Sequence, residues 1–250
     1  MSILAGILAA LVGLIAGRFF NEVIYHLPRR QPLLSRAAAC LRCGEAAPAL
    51  WVPILGYLRL GGRCPHCGQR LSFRLPLVEV LTALLFWLTY RQFGLSGETL
   101  FVWAFTSIVV TVSFIDLEHR LIQNKLVIAG IVLALPLSLL AGKPIIPTLL
   151  GGAAGLGLLL FIAMIYPGAM GGGDVKFALV LGLFLGWPNV LMGLLFGFVA
   201  GGLVGVVLLL LRLRRLKDMI PFGPFLAGGG LAAYWWGAQV LSSYLPWLAH

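Results

Sequence analysis

Two aspartates and four cysteines carry most of the chemistry this sequence can do. Asp174 follows three glycines in Gly171-Gly172-Gly173-Asp174-Val175-Lys176, at the edge of a long apolar run. An ionised carboxylate is costly to hold away from water, so an aspartate at membrane depth calls for a function. Glycine permits φ > 0 and close approach of another chain, which suits a loop that presents a side chain and accepts an extended peptide. Asp116, in Phe114-Ile115-Asp116-Leu117-Glu118, sits where another apolar run meets a polar boundary. The two are 58 positions apart (174 − 116), and neighbouring helices of a bundle can bring such positions together. Carboxylates that share a site hold one proton between them. The ionised member can take a proton from water while the protonated member polarises a scissile carbonyl, which is aspartic-protease chemistry. A local reading competes: Asp116 pairs with Arg120, and Asp174 caps its helix. Glu118 is offset by two residues and points to another helix face. Lys176 either snorkels to the surface or steadies a nearby negative charge.

The cysteines form two pairs, Cys40-Leu41-Arg42-Cys43 and Cys64-Pro65-His66-Cys67, separated by twenty residues. Two such turns supply four thiolates for a tetrahedral zinc site. A closed four-thiolate site has no open position for water, so zinc here is structural and supplies folding energy to a loop with little core. Disulfides do not suit a reducing compartment. His66 lies inside the second pair, where it is an unneeded fifth donor. His26 and His119 read as polar residues near the membrane surface.

The elements that must position these groups are membrane helices. Of 250 residues, 60% are hydrophobic and 10% charged, against about a quarter charged in soluble domains. Apolar runs at about 3–24, 76–92, 99–115, 122–141, 145–166, 175–187, 189–211 and 225–248 predict an all-α polytopic membrane protein of eight transmembrane helices. No Lys or Arg precedes Arg18, so the first run lacks the basic start of a cleaved signal and is expected to be retained. Residues 26–75 hold eight arginines and one acid, Glu45, which makes this segment a cytoplasmic loop by the positive-inside rule. Alternation then puts Asp116 and Asp174 at the same cytoplasmic face and both termini outside. Three parts follow: a first helix (1–25), a basic loop with the tetracysteine zinc site (26–75) and a transmembrane core with the aspartate pair (76–250).

The net charge of +10 follows from the same topology, and no nucleic-acid partner is expected. Glycines at Gly151, Gly152, Gly155 and Gly157, and at Gly193, Gly197, Gly201 and Gly205, fall inside apolar runs. They have neither the preceding strand nor the following acid of a dinucleotide site, and they read as helix-packing faces. Glu22 is placed to pair with Arg18, four residues before it. Glu79 is expected to meet an arginine of the basic loop or a substrate's amino terminus.

Taken in order, these residues resemble the type IV prepilin peptidases, bifunctional leader peptidases and N-methyltransferases within the membrane aspartic proteases with a G-x-G-D motif. The resemblance rests on Asn21 to Pro28, the paired cysteines, Arg74 to Glu79, Ile115-Asp116, Gly171 to Lys176 and Pro221-Phe222-Gly223-Pro224-Phe225. It departs from many relatives at Gln123, where they have proline, and around Trp51-Val52-Pro53, which lacks the polar residues often seen there. It implies cleavage of the basic leader of a prepilin or pseudopilin after a glycine, then methylation of the new amino terminus with S-adenosylmethionine. By position it makes Asp116 and Asp174 catalytic and Cys40, Cys43, Cys64 and Cys67 the metal ligands. It implies a multi-pass protein of the bacterial inner membrane, with its site facing the cytoplasm and a pilus or type II secretion apparatus as partner.

A rival is an ion- or proton-coupled transporter using Asp116 and Asp174 as a relay. Transporters place acids near mid-membrane or show internal repeats, whereas both acids here are expected at one face. A catalytically idle assembly protein is disfavoured by the presence of both aspartates.

Overall fold

A computed structural model describes residues 3–31, 52–168, 170–213 and 220–244. The described residues are helical, apart from turns and one isolated antiparallel bridge between Arg63 and Arg70. The chain forms two compact units, Met1–Thr99 and Leu100–His250.

In the first unit, α1 (Ile3–His26) packs along α3 (Arg74–Phe93), with the short α2 (Leu55–Arg59) between them in sequence. Small residues make this packing possible. A Cβ on Gly13 would lie 2.6 Å from the Ala83 Cα, and one on Gly17 would lie 2.7 Å from the Glu79 Cα, so the two backbones meet directly. Beyond the glycines, the buried Asn21 donates from Nδ2 to the Leu75 carbonyl at 2.9 Å. Arg18 and Glu22 form the expected ion pair, and His26 Nε2 lies 3.2 Å from the other Glu22 oxygen.

The second unit holds α4 (Gly97–His119) from Leu100 onward, followed by α5 (Asn124–Leu140), α6 (Ile145–Ile165), α7 (Gly172–Leu185), α8 (Asn189–Leu210), α9 (Gly223–Ala232) and α10 (Ala238–Tyr244). A π turn over Ala233–Gly237 joins the last two. At the core Phe105 stacks on Phe184 with ring centroids 5.0 Å apart, Phe101 lies 4.9 Å from Phe184, and Tyr234 closes the cluster. Lys143 Nζ stands over the Phe101 and Tyr234 rings.

Most of both glycine stripes packs helices, as expected from their spacing, whereas Gly157 faces open space and Gly205 meets only the end of the Ile220 side chain, at 3.9 Å. A Cβ on Gly151, Gly155 or Gly182 would collide with backbone across the α6–α7 contact. Gly193 and Gly197 of α8 receive Gly229 of α9 in the same way, and a Cβ on Gly201 would lie 3.0 Å from the Phe222 ring.

Over the described residues each of the eight apolar runs coincides with a helix, the last with α9, the π turn and α10 together as far as Tyr244. Among the described residues four helices, α1, α4, α6 and α8, are long and apolar enough to cross a membrane by length and composition. The others differ for physical reasons. Helix α3 carries Arg74, Glu79, Thr82, Thr89 and Arg91, and α5 has 17 residues. At about 1.5 Å per residue the 14-residue α7 is about 21 Å long, short of a hydrocarbon layer about 30 Å thick.

Candidate active site

Asp116 stands in the last turn of α4 and is 5% exposed. The helix closes just beyond it: Arg120 turns left-handed at φ 52° and donates its amide to the Asp116 carbonyl at 2.8 Å. Arg120 thus meets Asp116 through its backbone, and the carboxyl goes elsewhere. Its Oδ2 accepts the amide N–H of Gly223, the first residue of α9, at 2.8 Å. Glu118 faces another way, with a side chain 36% exposed and 4.0 Å from His119 Nε2.

Asp174 is the third residue of α7, half-buried, and its carboxyl accepts the Gly171 amide. Gly171 is the N-cap, so Asp174 reaches back to the cap amide as the acid of a capping box does. A negative charge in the first turn also suits the helix dipole. The local capping role is therefore real. It coexists with a longer-range relation, because Asp116 is close enough for its charge to act on Asp174. The structure brings the two sequence-predicted acids to one end of the second unit.

The three glycines before Asp174 do different things. The φ > 0 that glycine permits is not used in this run: Gly171 has φ −71° and ψ 140°, and among the nearby described residues it is Gly168 that is left-handed, at φ 86°. The expectation of close approach holds at one position. A Cβ on Gly173 would lie 3.0 Å from the Ile122 Cβ, so α7 begins tight against the α4–α5 connection. Gly172 is exposed and has nothing within 4 Å of its missing side chain. Lys176 is exposed and donates to Asn124 Oδ1 at 3.1 Å, tying the start of α7 to the start of α5.

In the first unit Glu79 finds a partner that sequence did not name. It is buried and accepts the Ile54 amide at 2.7 Å, with the Arg18 charge acting on it. The second cysteine pair lies on a turn in which Cys64 donates its amide to the Gln69 carbonyl and Gly68, at φ 68°, donates to the Cys64 carbonyl. Cys64 is buried with Leu71 and Leu75, against Tyr57 and Leu60, while Cys67 is exposed. Cys40 and Cys43 lie outside the described residues, and among the described residues no three His, Cys, Asp or Glu side chains gather at a metal-sized site. A turn that presents two thiols from one short loop fits half of a four-thiolate zinc site.

The residue that sequence reasoning passed over is Gly223. Pro221-Phe222-Gly223-Pro224 stood out as a motif, but a backbone amide has no side-chain signature, and nothing marked it as the partner of Asp116.

The arrangement offers two carboxyls at one end of a helical unit, each held by a backbone amide, beside an exposed glycine. That is the equipment for activating a water against a peptide carbonyl. Residues 11–93 match the family described as Bacterial Peptidase A24 N-terminal domain, and residues 103–206 match the Type IV leader peptidase family. The chain is similar to a Pseudomonas putida protein named Prepilin leader peptidase/N-methyltransferase, at 34% identity over 96% of this chain and 94% of the relative. Relatives of the same name come from Bacillus subtilis, 33% identical over 93% of this chain and 95% of the relative, and from Pseudomonas aeruginosa, 31% identical over 94% and 91%. No solved structure matches the chain.

Proposed function

The chain belongs to the type IV leader peptidase family, and we propose that Asp116 and Asp174 are the catalytic pair with which it removes prepilin leaders. The observation that carries this reading is the placement of the two acids: the end of α4 and the start of α7 hold them near enough for one charge to act on the other. The chain's relatives carry the name prepilin leader peptidase/N-methyltransferase, which supports leader cleavage followed by N-methylation here, and the transporter alternative finds no support among them.

In the proposed reaction the leader peptide lies extended along Gly171 to Gly173, with Gly172 as the open surface. The ionised carboxylate takes a proton from a water, whose oxygen adds to the scissile carbonyl of a glycine. The protonated carboxyl donates to the carbonyl oxygen. Return of a proton to the amide nitrogen breaks the C–N bond and releases the new amino terminus. The basic leader stays at the cytoplasmic face of the bacterial inner membrane, where we place this end of the second unit, with the eight apolar runs as spans of the bilayer. The substrate is a prepilin or pseudopilin of a pilus or secretion apparatus.

Methylation of the new amino terminus uses S-adenosylmethionine, which supplies an electrophilic methyl group. We assign no residue to that donor. Cys40, Cys43, Cys64 and Cys67 hold a structural zinc in the basic segment 26–75, which the turn at Cys64 to Gly68 supports. The zinc performs no step.

Co-expression with a prepilin, following leader removal, tests the pair. Asp116→Asn and Asp174→Asn are each expected to lower cleavage by about 10²–10⁴-fold. Undiminished cleavage by either variant refutes the assignment.

A further inference from the structure

We propose that Gly223 is a positioning residue for leader cleavage: its amide holds Asp116 Oδ2, and its missing side chain leaves the space the carboxyl occupies. This rests on the reading of Asp116 as catalytic and adds to it a residue 107 positions away in sequence.

The amide end of the contact is built with some care. The first amides of a helix have no partner inside the helix, and they favour an anionic acceptor. In α9 the second residue is Pro224, which has no N–H, and the third, Phe225, gives its amide to the Phe222 carbonyl at 3.1 Å. Of the first three residues only Gly223 donates to the aspartate, at 2.8 Å. The start of α9 is in turn fixed to α8. The Phe222 ring lies 5.1 Å from the Phe198 ring, and Gly201 makes room for it. Asp116 is thus aligned by the anchored end of another helix, with its other oxygen left for the reaction.

The steric end of the contact explains why residue 223 is glycine. A Cβ there would lie 2.8 Å from Asp116 Oδ2, 3.1 Å from Cγ and 3.2 Å from Cβ. Backbone conformation does not require glycine, since Gly223 is absent from the positive-φ residues. Buried Asp116 has little room to retreat, so an added methyl must turn its carboxyl or push α9 away. A displacement of the order of 1 Å at a reacting group costs up to about 100-fold in rate.

The test uses the full chain in membranes or detergent, with a prepilin for cleavage and a peptide bearing the mature amino terminus for methyl transfer. Gly223→Ala is expected to lower kcat for cleavage about 100-fold with KM unchanged, and to leave methyl transfer by the same preparation at the wild-type rate. Gly228→Ala, on the same helix where nothing lies within 4 Å, keeps both activities. Wild-type cleavage by Gly223→Ala overturns the proposal. So does a parallel loss of cleavage and methyl transfer, which assigns Gly223 to packing alone. Failure of the peptidase reading is seen separately, in wild type that leaves the prepilin intact or in Asp116→Asn that cleaves it.

Discussion

Gly173 and Ile122 touch where α7 begins against the α4–α5 connection, with 3.0 Å between the Ile122 Cβ and the place a Gly173 Cβ would take. One residue earlier, Gly172 meets nothing. The two glycines therefore separate packing from substrate contact. Gly173→Ala is expected to push α7 off Ile122, lowering thermal stability by about 1–3 kcal/mol along with cleavage. Gly172→Ala is expected to keep wild-type stability while cleavage falls tenfold or more, because the added methyl stands where the peptide lies. Equal melting temperatures for wild type and Gly173→Ala, or wild-type cleavage by Gly172→Ala, contradict this division.

The α6–α7 seam makes a second prediction. Because a Cβ on Gly182 would run into the Gly151 backbone, which a rotamer change cannot relieve, Gly182→Ala is expected to destabilise the protein by about 1–3 kcal/mol or more. Gly157→Ala, on α6 with open space around it, is expected to be neutral or stabilising by up to about 1 kcal/mol through helix propensity. Unfolding in detergent compares the two, and a Gly182→Ala protein as stable as Gly157→Ala removes the seam from the argument.

Gln123 precedes α5 with φ −73°, inside the range a proline ring enforces. The backbone there already has the shape that proline would impose, so the departure from many relatives changes stiffness and not path. Gln123→Pro is expected to raise stability by about 0.4–1 kcal/mol by narrowing the unfolded ensemble, with cleavage preserved. A lower melting temperature counts against it.

Zinc is checked by metal analysis. Purified wild type is expected to carry about one equivalent, lost in the Cys40→Ser/Cys64→Ser double variant together with protection of residues 52–75 from proteolysis. Metal-free wild type with the same protection rules zinc out.

Much of the site could be read from sequence because its signals are local. An acid behind glycines and another at the end of an apolar run are visible without coordinates, and the small-residue spacing of the stripes announces helix seams that the structure shows at Gly151, Gly155, Gly193 and Gly197, while their partners Gly182 and Gly229 carry no such spacing signal. What stayed hidden was of two kinds. The partners of Asp116 and Glu79 are backbone amides, of Gly223 and Ile54, and an amide is the same in every residue. The conformation of the glycine run is not legible because glycine tolerates φ > 0 without requiring it: at Gly173 the constraint is the neighbour Ile122, which lies 51 positions earlier (173 − 122). The span count is less legible than the helices, since α3 and α7 become helical whether or not they meet the length and apolarity of a free-standing span.

The contact of α6 with α7 bears on the site as well as on stability. Backbone meets backbone at Gly151, Gly155 and Gly182, and at the opposite end from Asp174 the Trp187 amide donates to the Pro147 carbonyl at 2.8 Å. Asp174 is therefore mounted on a two-helix pillar whose seam is backbone against backbone at these three glycines, with the Leu179 and Leu183 side chains packed against Gly152 beside them. Asp116 hangs from a single amide at the start of α9. That helix start is itself anchored to α8 through the Phe222 and Phe198 rings, so each carboxyl of the site rests on a helix braced by a second one.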